Sequence, residues 1–197
     1  MLSAVVLLLL GPVIGMVAGR LLGGRLANLA TIRLRALWLL WLAAGVQAAQ
    51  FSLVPVRTFV QDRLGIPMLA IVFAVVAVWL ALNLRPAPAA LRLAVAVILA
   101  GAALNAIVIA LNGRMPYSVA AARTAGLREG AVNPKNAPAG AGTRLAALGD
   151  VIPVPPLRKI VSPGDLLIIL GAAATVAAAM RRRPAALTPT VREEVTP

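Results

Sequence analysis

Two aspartates fifteen residues apart have the residue type and the surroundings to do chemistry: Asp150 in Leu148-Gly149-Asp150-Val151-Ile152-Pro153, and Asp165 in Ser162-Pro163-Gly164-Asp165. Two carboxyl groups sharing a site cannot easily both ionise. One keeps a proton, and the pair can then activate water and protonate a leaving group. The chain has no histidine and no cysteine. That removes the commonest catalytic base and metal ligand, together with disulfides, thiol nucleophiles and iron-sulfur ligation. No metal or cofactor is expected. The other acids, Asp62, Glu129, Glu193 and Glu194, lie outside apolar, motif-like surroundings.

Each aspartate also has a plainer reading. Ser162, Pro163 and Asp165 have the spacing of a helix N-cap, a first-turn proline and the third-position acid that completes a capping box. Asp150 follows a glycine, as turn aspartates do, and Arg114 or Arg158 could hold it in a structural ion pair.

Other polar residues sit within apolar stretches, where an unpaired polar group is costly. Gln47 and Gln50 lie three apart and Asn105 and Asn112 seven apart, each pair on one helix face. They read as interhelical hydrogen-bonding groups, with contact to a ligand or solute as the alternative. Asn112-Gly113-Arg114-Met115-Pro116 reads as a helix end, with Gly113 taking a left-handed cap and Pro116 preventing continuation. Arg114 at that end would suit a carboxylate or a lipid phosphate. Asn105, Asn112, Gly113, Arg114, Pro116, Gln47 and Gln50 are therefore the candidate binding residues.

The elements that must position these groups follow from composition. The 197 residues are 61% hydrophobic with a mean hydropathy of +0.93, well above a soluble domain. Five stretches approach the roughly 20 apolar residues that cross a bilayer: 2–19, 36–56, 64–84, 93–113 and 162–180. The predicted fold is all-α, a polytopic transmembrane helical bundle forming one domain over 1–183, with a disordered cytoplasmic tail at 184–197. The first stretch lacks a basic region ahead of it, so it reads as a retained span and not as a signal peptide. Its glycines Gly11, Gly15, Gly19 and Gly23 recur every four residues and form a strip for helix packing, within the chain or between two copies.

The net charge of +13 forms no basic groove interleaved with stacking aromatics, so nucleic acid is not an expected partner. The charge instead orients the spans. Arg20, Arg25, Arg33 and Arg35 fall in one connection and Arg181, Arg182 and Arg183 open the tail. Placing both groups in the cytoplasm puts the N-terminus outside and the C-terminus inside. Trp38, Trp41 and Trp79 then lie at the cytoplasmic interface. The connection 114–161 is the long outer loop, flexible from Arg123 to Gly142 and lying on or dipping into the outer face thereafter.

The early glycines with Gly23-Gly24-Arg25, Gln50, Asn112-Gly113-Arg114-Met115-Pro116, Leu148-Gly149-Asp150 and Ser162-Pro163-Gly164-Asp165 together resemble an uncharacterised bacterial multi-pass membrane family, domain of unknown function 5317. The resemblance implies a bacterial inner membrane location and brings no activity with it. The scarcity of lysine, with only Lys135 and Lys159, fits a GC-rich bacterial genome. Residues 105–175 also resemble lipoprotein signal peptidase, in which two aspartates at the outer membrane face cleave a lipidated signal peptide. That likeness implies Asp150 and Asp165 as the dyad, with Asn112 or Arg114 positioning substrate. This chain departs from it: Pro163 or Gly164 stands where an asparagine belongs, and an extra span precedes the matching region.

Three functions follow. The first is a non-enzymatic bundle whose outer loop binds a membrane or envelope protein, a lipid or an envelope component. The second is an aspartate-dependent hydrolase at the outer leaflet, and the third is small-solute transport through Gln47, Gln50, Asn105 and Asn112.

Overall fold

In a computed structural model the chain is described over residues 2–181, apart from 31–33, 67, 85–86, 129 and 134. Arg33, Arg182, Arg183 and the 184–197 tail lie outside the described residues. The described chain is mostly helical. Its main helices are α1 (Leu2–Leu21), α3 (Trp38–Ser52), α5 (Met68–Leu84), α6 (Ala89–Asn112) and α8 (Pro163–Met180), with the short α2 (Ala27–Ala30), α4 (Val54–Arg57) and α7 (Val119–Thr124) between them.

The ends of α6 and α8 are set by local chemistry. Pro88 precedes α6 with ψ of 155°, outside the helical region, and Gly113 closes it at φ 73°, the left-handed cap that glycine adopts without a Cβ penalty. Helix α8 opens on Ser162 with Pro163 in its first turn. Two helices, Ala89–Asn112 and Pro163–Met180, are long and apolar enough to cross a membrane, with hydropathies of 2.6 and 1.7. At 1.5 Å per residue they reach about 36 and 27 Å against a hydrocarbon core of about 30 Å.

Of the other expected stretches, the first and third correspond to α1 and α5, of 20 and 17 residues, and the second is broken, since Trp38–Gln50 joins Val54–Arg63 through a bend of 100°. The bend falls where Leu53 leaves the helical region ahead of Pro55, since Pro55 has no N–H for the carbonyl four residues earlier and its ring crowds that turn, so it is accommodated only in the first turn of a new helix. Beyond α4 the backbone continues as a π-helical turn, Thr58–Arg63. The segment expected to end at Val56 thus turns aside before that point.

Close helix contacts run through glycine. A methyl group on Gly11 would lie 2.8 Å from the Ile169 carbonyl, one on Gly15 would lie 2.8 Å from the Val176 side chain, and one on Gly19 would crowd Ala177 and Met180. The numbers rise together along both helices, so α1 and α8 are parallel. A methyl on Gly101 would lie 2.9 Å from Leu167, and one on Gly171 would lie 2.8 Å from the Ala94 carbonyl. Here the numbers run oppositely, so α6 and α8 are antiparallel. Backbones this close gain dispersion contact that larger side chains would prevent. Gly23 does not belong to the strip: among the described residues no atom beyond its chain neighbours lies within 4 Å of its Cβ position, and its φ is +79°. Its role is to turn the chain after α1, while Gly24 packs on Met180 instead.

At one end of the bundle, the Arg25 amide donates to the Met180 carbonyl at 3.0 Å, as does the Asn28 side chain at 2.6 Å. Trp79 Nε1 donates to the Arg35 carbonyl at 3.0 Å, and the Arg35 amide donates to Asn83 Oδ1 at 2.8 Å. This end therefore gathers Arg25, Arg35 and Arg181 with Trp79 and the exposed Trp38.

At the other end, the 114–161 connection carries a folded cap, whose short strands correct the all-α expectation. Among the described residues it contains β1 (Met115–Tyr117) paired in parallel with β2 (Asn136–Pro138), and β3 (Ile152–Val154) paired antiparallel with β4 (Lys159–Val161). Val108, Ile109 and Met115 form a buried cluster with Leu148 against it, fixing the cap to the last turns of α6.

Candidate functional site

Asp150 is held by the cap's backbone before its side chain is considered. Its amide donates to the Pro116 carbonyl at 2.9 Å and its carbonyl accepts from the Ser118 amide at 3.0 Å. It therefore lies along one edge of β1, bridged to Tyr117, while β2 occupies the other edge. Gly149 is needed here because a side chain would strike Pro116. The register that pairs Met115 with Asn136 carries the Asn136 side chain to Asp150, where Asn136 Nδ2 donates to Asp150 Oδ2 at 2.7 Å.

The Asp150 carboxyl is buried, with 8% of the residue exposed. Burial first, then the charge of Asp165, push its pKa up to about 7, against a downward pull from the Asn136 hydrogen bond. It borders a cavity of about 370 Å³ that is also lined by Tyr117, Arg128, Asn133, Asn136 and Lys159. Burial, reinforced by Lys159, also lowers the pKa of the neighbouring Lys135. Near neutral pH this site offers a carboxyl that can donate or accept, flanked by cations and carboxamides.

Asp165 is differently occupied. Its Oδ2 accepts from the Ser162 amide at 3.0 Å, and its own amide donates to Ser162 Oγ at 2.9 Å, completing a capping box. Its Oδ1 accepts from Asn105 Nδ2 at 2.8 Å, and Ser162 Oγ donates to Asn105 Oδ1 at 2.8 Å. Asn105, Ser162 and Asp165 thus close a ring in which both Asp165 oxygens have a donor. Gly164 permits it, because a side chain there would displace the Asn105 carboxamide.

The remaining candidates are distributed around these two groups. Asn112 Nδ2 donates to the Val108 and Arg144 carbonyls at 2.8 and 2.9 Å, and its Oδ1 accepts from the Arg144 amide at 2.9 Å. It ties α6 to the cap. Pro116 is buried in β1, and Arg114 is exposed. Arg158 donates to the Gly126 carbonyl at 2.8 Å, and the hydrogen-bonding partner of Asp150 is Asn136. Gln47 is half-buried, while Gln50 is 3% exposed and its Oε1 has no hydrogen-bond partner among the described residues. No cluster of three or more acidic residues among the described residues could hold a metal ion.

Sequence reasoning passed over Asn136, Asn133, Tyr117, Arg128 and Lys159. The one available signal was Asn133-Pro134-Lys135-Asn136, a polar turn string inside a segment otherwise rich in Ala and Gly.

The chain matches a family of unknown function (DUF5317) over residues 31–177, and it belongs to that family. No curated protein and no solved structure matches it.

Proposed function

From that membership and this geometry we propose that the chain is a multi-pass protein of the bacterial inner membrane whose outer cap binds a polar group of an envelope component in the cavity beside Asp150. The reading has five membrane segments, the N-terminus and the cap outside, and the C-terminus in the cytoplasm. Parallel packing of α1 on α8 supports it, because three intervening crossings return the chain to the same direction. So does the meeting of Arg25, Arg35, Arg181 and Trp79 at the end away from the cap, as cytoplasmic faces collect Lys and Arg and interfaces collect Trp.

The observation that carries the binding reading is the buried Asp150 carboxyl, fixed by Asn136 and facing a 370 Å³ cavity beside Lys159 and Arg128. Convergent polar groups in a cavity of this size suit a small ligand or the end of a larger one. A thermal-shift screen of the purified protein against sugar acids, amino sugars and dicarboxylates tests it. A saturable stabiliser should lose its effect in both Asp150→Asn and Lys159→Ala. Stabilisers that act equally on all three proteins would discard the cavity as the site.

The second reading is the hydrolase. The charge of Asp165 helps to keep Asp150 protonated, as in an aspartate dyad. It requires Asp165 to release Asn105 or Ser162 before it could activate water. Asp150→Asn and Asp165→Asn should then each abolish turnover of a lipidated peptide, and activity in either variant would eliminate it. Transport is less supported, since Asn105 and Asn112 are spent on packing and on the cap.

A further inference from the structure

A larger cavity, of about 840 Å³, opens on another side of the cap, between the α4 and π-turn segment and the end of α6. Its polar lining includes Arg57, Gln61, Asp62, Arg114 and Asn133. Asn133 Oδ1 already accepts from the Lys135 and Asn136 amides at 2.8 and 2.9 Å, so what its carboxamide offers the cavity is N–H. Asn112, also on the wall, has both ends of its side chain engaged by backbone. Among the described residues the available groups are therefore two guanidinium forks and carboxamide donors against one carboxylate, Asp62. A guanidinium presents parallel donors at the spacing of phosphate oxygens, which a lone ammonium does not.

We propose that this cavity holds a phosphate group, with a phospholipid headgroup as its source. The inference rests on the reading of the chain as a membrane protein. One wall is the outer end of a membrane-length helix. The other carries exposed Val54, Val56, Phe59, Leu64 and Ile66 around Arg57, an arrangement that seats apolar side chains among acyl chains while the basic groups stay at headgroup level. The π-turn, which places Gln61 and Asp62 on the cavity wall, is a rare backbone form that occurs frequently at functional sites.

The test is native mass spectrometry of the purified, delipidated full chain titrated with dioleoylphosphatidylglycerol, and with dioleoylglycerol, which lacks the phosphate. Wild type should retain the phospholipid and not the diacylglycerol. Arg57→Gln and Arg114→Gln should each weaken retention by about tenfold, the loss of one charge-assisted phosphate contact, while Arg57→Lys and Arg114→Lys recover part of it. Arg144→Gln, whose side chain is not in the cavity lining and whose backbone bonds to Asn112 the substitution keeps, should match wild type. Melting temperatures of all variants separate lost binding from lost fold. Displacement by millimolar inorganic phosphate would support the phosphate site with a soluble source also admitted. Equal retention of the two lipids, or retention indifferent to both arginines, would overturn the proposal. Release of the chain from membranes by a carbonate wash would instead refute the membrane reading on which it rests.

Discussion

At the scale of residues, the two aspartates that look alike in sequence have different tasks. Asp150 folds with its pKa near 7 against an unfolded value near 3.9. Between those values the folded chain holds a proton that the unfolded chain has lost, so the stability contributed by the neutral form is fully present below about pH 4. It falls as pH rises towards 7 and is flat above, an effect of order 4 kcal/mol. Asp150→Asn should flatten this slope and melt higher than wild type at pH 8. A wild-type melting temperature that rises from pH 5 to pH 8 would contradict the burial of Asp150. Ser162→Ala removes a cap and leaves Asn105 Oδ1 buried without its donor, for about 2 to 4 kcal/mol in all. Ser118→Ala removes only the half-buried cap of α7, whose Oγ accepts from the Ala121 amide at 3.2 Å, for about 1 kcal/mol. Melting curves of the pair should rank in that order. The Ser162–Asp165 relation was legible because a capping box is written in four consecutive residues. The Asn105–Asp165 and Asn136–Asp150 bonds were not, because helix packing and strand register bring those residues together across sixty and fourteen positions.

At the scale of elements, hydropathy located the apolar stretches well but overstated their regularity. The fourth and fifth stretches, predicted at 93–113 and 162–180, are the membrane-length helices Ala89–Asn112 and Pro163–Met180. The second bends near Pro55, a break that the proline's missing N–H accounts for and a hydropathy window smooths away. The strands escaped because each is three residues long, too short for a period of two to stand out. The glycine strip was legible as a face, although Gly23 only continues its numerical spacing. Gly15→Val should destabilise by about 1 to 3 kcal/mol or more through overpacking against α8. Gly23→Ala should cost about 1 to 2 kcal/mol through its left-handed backbone alone, with no clash. Thermal melting in detergent would separate them. Equal tolerance of both substitutions would remove α1 from its place on α8.

At the scale of the whole molecule, the account is of a helical bundle with unlike ends. One end is tied by backbone and tryptophan contacts among the 20–35 connection, α5 and the close of α8. The other carries a folded cap with Asp150 inside it and the Arg57 and Arg114 cavity beside it. The absence of cysteine from the sequence makes the central claim, that these ends face opposite sides of a membrane, directly measurable. Gly142→Cys places one thiol at an exposed position of the cap, and Leu26→Cys places one at an exposed position after α1. Spheroplasts of a bacterial expression host are treated with a membrane-impermeant maleimide before and after permeabilisation. The account predicts that Gly142→Cys labels in intact spheroplasts and Leu26→Cys only after permeabilisation. Labelling of both from outside, or the reverse pattern, would contradict it.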